Sequence, residues 1–227
     1  MAKRQQLAVV LERGDKRVFA VARDWPGWSR SGKSDQEAVE ALLTYAPRYA
    51  RVVRSAKVSP LPPDSDAVAD VVERHTGGTG TDFGVPGVPT KGDATPLTGA
   101  ELKRQRAILE AAWRAFDAAA RAAKGKTLSV GPRGGGRSLA KMTGHVLEAE
   151  VAYLGQLGSR HAKPTAGEDG MALVRREALG TLDAVTAGRP LDNPRNTKKP
   201  WTPRYFIRRS AWHALDHAWE LEDRIPG

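Results

Sequence analysis

The chain has no cysteine, which excludes disulfides, cysteine-ligated zinc or iron–sulfur sites and a cysteine nucleophile. Acidic residues are the scarcer charge: 26 stand against 36 lysines and arginines, a formal net charge of +10. Such a balance would suit an acidic ligand or nucleic acid. The basic residues are nonetheless scattered and interleaved with acids, and nucleic acid is therefore not the expected partner. No apolar run reaches the roughly 20 residues of a membrane-spanning helix. The residues after Met1 also lack the apolar core of a signal peptide. A cytoplasmic protein with no membrane partner is expected. With 227 residues and a 40% hydrophobic fraction, the chain can build one large domain or two small ones.

The first unit expected is a small α+β module over residues 1–76. Leu7 to Leu11 reads as a buried strand, Glu12 to Lys16 as a hairpin turn and Arg17 to Arg23 as the returning strand. The run Asp24-Trp25-Pro26-Gly27-Trp28-Ser29-Arg30-Ser31-Gly32 then turns into a short third strand. Ser34 and Glu37 form a capping box that opens a helix carrying Ala38, Ala41, Leu42, Tyr45 and Tyr49. Pro47 interrupts or kinks that helix, and Ala67 to Val72 can return to the sheet as a fourth strand. This β-β-β-α-β order, centred on the Asp-Trp-Pro-Gly turn and the serine-capped helix, resembles the HicB-like antitoxin fold. The resemblance implies a module that contacts a partner.

Residues 77–96 change composition to Gly, Thr, Pro and Asp without periodicity, which predicts a linker or an ordered wrapping loop, with Phe83 and Val85 as its anchors. From residue 97 to 227 the chain reads as helical. Thr98 and Glu101 make a second capping box, followed by Leu102, Leu109, Trp113 and Phe116 at 3–4 spacing. A helix from near Ser138 carries Met142, Val146, Ala149 and Tyr153; another spans about residues 168–187. The last starts at Thr202-Pro203, a cap and first-turn pair, and runs without internal Gly or Pro to Asp223. Four amphipathic helices of this kind predict an up-down four-helix bundle.

Two of the five histidines lie in that last helix, in Trp212-His213-Ala214-Leu215-Asp216-His217-Ala218-Trp219-Glu220. The i, i+4 spacing stacks both imidazoles on one side, together with Phe206, Ser210 and Leu221. Such a pair is either a metal half-site or two core histidines satisfied by hydrogen bonds. A third, His145, sits between Met142 and Ala149 on the apolar face of the second long helix. One inward histidine there and a His-x-x-x-His pair in the fourth helix resemble the DinB-like superfamily of four-helix bundles, over residues 98–227. That family includes mycothiol-dependent isomerases and bacillithiol transferases. The resemblance implies a divalent metal (Zn, Ni or Fe) held by His145, His213 and His217.

Glu220 lies one turn after His217 and Asp216 one turn after Trp212, so each is a candidate to orient a ligand or act as a base. The glycine-rich stretch from Gly131 to Ser138 fits a phosphate-loop spacing, but Arg137 stands where that motif needs lysine. Nucleotide hydrolysis is not expected. Arg133, Arg137 and Ser138 remain candidates for holding an anion at the start of the second long helix. Arg204, Arg208 and Arg209 read as a solvated face, and Trp212 and Trp219 as a packing surface toward a helix, the N-terminal module or a second subunit, as in a homodimer.

Two functional readings follow. One is a metal-dependent enzyme acting on a small-molecule substrate by thiol-dependent S-transfer or isomerisation, or by hydrolysis. Without cysteine, its sulfur nucleophile must arrive as a low-molecular-weight thiol. The other is a non-catalytic binding or regulatory protein that contacts a protein or nucleic-acid partner.

Overall fold

The computed structural model describes residues 4–131 and 136–226. Three strands come first: β1 (Gln6–Arg13), β2 (Val18–Ala22) and β3 (Ser29–Gly32). The helices α1 (Asp35–Thr44) and α2 (Ala46–Ser55) follow, and β4 (Val68–Thr76) returns to the sheet. The sheet order is β3-β2-β1-β4; β1 runs antiparallel to β2 and parallel to β4, with a bulge between Val9 and Val10. This mixed sheet follows the strand and helix order expected from sequence. Ser34 caps α1 by accepting the Glu37 N–H, and the helical segment divides at Tyr45, two residues before Pro47.

All five residues of β2 are buried, so both faces of the sheet are covered. Leu7, Val9 and Leu11 share one face with Val18, Ala20 and Ala22, in the same apolar cluster as Trp28, Leu42 and Tyr49. Val10, Phe19 and Val21 point to the opposite face and meet Trp212. Glu12 is buried on that second face, where its carboxylate accepts the Thr81 hydroxyl (2.6 Å) and the N–H groups of Gly87 (3.1 Å) and Val88 (2.9 Å).

Those partners belong to the segment 77–96, which is an ordered wrap. It contains the single turn α3 (Thr79–Asp82) and a 3₁₀ turn at Lys91–Ala94. Val85 packs against the second apolar cluster, whereas Phe83 is 75% exposed and anchors nothing. From the other side Arg208 donates to Asp93 and to the Val88 carbonyl, and the Tyr205 hydroxyl donates to the Gly87 carbonyl (2.6 Å).

Four long helices complete the chain: α4 (Gly99–Ala123), α5 (Leu139–Leu157), α6 (Gly170–Thr186) and α7 (Pro203–Arg224). Each begins at a side-chain cap, Thr98, Ser138, Asp169 and Thr202 respectively. A cap of this kind satisfies one of the free N–H groups of the first turn and contributes about 1 kcal/mol. α7 packs chiefly along α4 and also touches α5 and α6; α5 packs on α6. Arg175 of α6 ties three of them together, donating to Glu150 of α5 and Asp117 of α4. No helix among the described residues is long and apolar enough to cross a membrane.

Candidate metal centre

The site is built on α7, the most buried of the long helices, and on the facing side of α5. His213 and His217 are separated by one turn and both are buried; His145 reaches toward them from α5 and is half-buried. Nε2 of His213 is 3.3 Å from Nε2 of His145. The three residues each offer a ligand nitrogen, and these atoms all lie within 4.8 Å of one another. Around a zinc-like ion at about 2.0–2.1 Å, tetrahedral nitrogens stand roughly 3.4 Å apart. One pair already has that spacing, and the third ligand atom lies within 4.8 Å of both. The residues present therefore fit a divalent ion.

Local chemistry keeps the lone pairs available. Nδ1 of His217 is 3.1 Å from Glu220 Oε2. A carboxylate only accepts, so Nδ1 is the donor of this bond, which leaves Nε2 as the ring nitrogen to offer a metal. The hydrogen bond from His217 holds the Glu220 carboxyl below its usual range, against a smaller opposing effect of burial. Glu220 also accepts from Arg224 (3.3 Å), whose guanidinium donates to the carbonyls of Ser129 (2.8 Å) and Arg137 (3.1 Å). Burial pushes His213 well below the usual histidine range, helped by the neighbouring His217 and Arg209; burial also lowers His145. Both rings are neutral donors at physiological pH.

A cavity of about 990 Å³ opens beside His217. Its walls include Arg30 of β3, Tyr45, Trp219 and Glu220, with Arg137 and Lys141 at the start of α5. Arg30 lies 3.9 Å above the Tyr45 ring and donates to Asp216 (3.2 Å). Asp216 thus faces the N-terminal module, while Glu220 stands directly behind a histidine. Ser138 spends its hydroxyl on the Lys141 N–H as the α5 cap, and Arg137 is exposed. Arg133 lies outside the described residues.

One expectation about the site needs correction. Arg208 and Arg209 do not form a solvated face: both are buried, Arg208 against Asp93 and Arg209 between Trp212 and Tyr153. The signal was present in the spacing, because Arg209 precedes His213 by four residues and shares its side of α7. Tyr153, on the inward face of α5 as its spacing predicts, also reaches the centre: its ring centroid is 5.7 Å from that of His213.

No curated protein and no solved structure matches the chain. The sequence profile of the DinB superfamily matches residues 108–221, a span that opens within α4, closes within α7 and contains all three converging histidines. The N-terminal sheet lies outside it. With half of its length matched, and the histidine triplet inside the match, the chain belongs to the DinB superfamily.

Proposed function

We propose that the chain is a divalent-metal-dependent enzyme that acts on a small molecule, by thiol-dependent S-transfer or isomerisation or by hydrolysis. The observation that carries this reading is the convergence of three imidazoles from two helices, with a carboxylate behind one of them. Three protein ligands are the number that leaves a coordination position open for chemistry. When bound, a zinc, nickel or iron ion would polarise a substrate carbonyl or lower the pKa of a water or thiol. His145, His213 and His217 would hold it, and Glu220 orients His217 through Nδ1. With no cysteine in the chain, a sulfur nucleophile enters as a small thiol co-substrate.

The cavity beside His217 is the substrate entrance in this reading. Arg137 and Lys141 at its rim form no ion pair among the described residues, and they offer positive charge to an acidic group. The up-down bundle reading of α4–α7 is supported by the side-chain caps and by the packing of α7 on the other three helices. A HicB-like reading of the N-terminal module is supported by its strand order, and Arg30 and Tyr45 give that module a share of the cavity wall.

Metal analysis of protein purified without a histidine tag tests the proposal. Wild type should carry about one equivalent of a divalent ion per chain, the content of a single three-histidine site. His145→Ala and His213→Ala should lose it while keeping their helical circular dichroism, because apolar burial carries most of the folding energy. Equal metal content in all three proteins would overturn the assignment.

A further inference from the structure

Among the described residues the buried arginines are Arg175, Arg208, Arg209 and Arg224. Three of them are fully engaged. Arg175 is clamped by Glu150 and Asp117, Arg208 by Asp93 and a carbonyl, and Arg224 by Glu220 and two carbonyls. Arg209 is different. It is 8% exposed, yet its guanidinium has no carboxylate and no hydrogen-bond acceptor among the described residues, and Nη1 is wholly buried without a partner. Its carbon Cζ lies 4.6 Å from the Trp212 ring and 5.3 Å from the Tyr153 ring. Those rings attract the charge from their faces but leave its in-plane N–H groups unmet. Burying a cation without an acceptor is costly, so proteins pair such groups.

Position gives this unpaired charge a meaning. Arg209 stands one turn before His213 on α7, and Tyr153 touches both. Ser210, at the next position, is also buried with an unpartnered hydroxyl, and it shares the histidine face with His213 and His217. Two orphaned donors thus flank His213. We infer that Arg209 binds the carboxylate of a small organic acid next to the histidine centre. This rests on the proposed metal-dependent function and names its substrate class. The planar fork of the guanidinium matches a carboxylate in two parallel hydrogen bonds, and the Trp212 and Tyr153 rings hold its Cζ at 4.6 and 5.3 Å.

Acetate is the probe, titrated into the full chain against chloride at constant ionic strength, with inorganic phosphate in a parallel arm. Metal content is measured on the same samples. Wild type should show a saturable rise in thermal midpoint with acetate. Arg209→Met keeps the apolar volume in the stack and removes the fork; its rise should vanish. Arg209→Lys keeps the charge without the fork and should bind acetate at least about tenfold more weakly. Without acetate, Arg209→Met should unfold no lower than wild type, because it removes an unpaired buried charge. An arginine with a purely structural role gives the opposite pattern: Arg209→Met unfolds lower with and without acetate, and the acetate response persists. That pattern, or a response to phosphate and none to acetate, overturns the inference. Should wild type carry no metal but keep an Arg209-dependent acetate response, the metal assignment falls and the carboxylate site stands.

Discussion

Single residues differ in how much of the candidate centre depends on them. Glu220 touches no part of the three-nitrogen cluster directly, but it fixes which nitrogen of His217 faces inward. Removing the carboxylate frees the ring to rotate and to protonate the inward nitrogen instead. Hydrogen-bonding partners of this sort are worth about 10–100-fold in metal affinity. Glu220→Ala should therefore bind the ion weaker by about that factor, measured by competition with a chromophoric chelator, while His213→Ala should not bind it at all. An affinity equal to wild type would mean that Arg224 alone positions the local structure, since Glu220 is its partner as well.

At the scale of elements, α7 was the most readable part of the chain. Thr202 and Pro203 announce its start, no Gly or Pro breaks it, and its histidines repeat at one turn. The segment 77–96 was not readable to the same degree, because its order comes from contacts without a period: the Glu12 carboxylate on one side, Tyr205 and Arg208 on the other. For Arg209 the spacing shows its side of α7, but not the Trp212 and Tyr153 rings that receive it. The starts of α4 and α7 are joined by another such contact, in which Arg204 donates to Glu101 (2.7 Å) and to the carbonyls of Thr95 (2.7 Å) and Pro96 (3.1 Å). The Arg204 guanidinium and the Thr98 N–H lower the Glu101 carboxyl from its ordinary value near 4.5 to about 2. Between those values the unfolded chain holds a proton that the folded chain lacks, so stability rises with pH across this window. It is lost as pH falls through 4.5 toward about 2. Glu101→Gln should flatten the acid limb of the thermal midpoint between those pH values relative to wild type. An unchanged slope would show that the contact is screened by solvent, as exposed pairs often are.

For the whole molecule, the sequence suggested separate modules at 1–76 and 97–227, each with its own caps and apolar faces, but packing ties them closely. One apolar cluster runs from Leu7 and Val9 of the sheet through Trp28, Leu42 and Tyr49 to Ile108, Ile207 and Leu215 of the long helices. The turn at Gly27 approaches α7 so closely that a Cβ there would sit 2.9 Å from the Ala211 Cβ and 3.0 Å from Leu215 Cδ1; its φ of +89° favours glycine for a second reason. On the other face Trp212 meets Phe19 edge-on at 6.2 Å, and within the first cluster Trp219 meets Tyr45 at 5.0 Å. Both tryptophans belong to α7, so the helix that carries His213 and His217 is held by the N-terminal module, at Phe19 of β2 and at Tyr45 between α1 and α2. Each large aromatic left without its partner loses about 1.5–3 kcal/mol of burial, and a domain's total margin is only about 5–15 kcal/mol. A fragment of residues 96–227 should therefore keep helical circular dichroism but melt broadly, with a lower midpoint and with Trp212 and Trp219 accessible to a fluorescence quencher. Its divalent-metal affinity should fall too, although every proposed ligand is retained. A fragment that melts as sharply as the full chain, with its tryptophans shielded, would show that the helices hold the centre without the sheet.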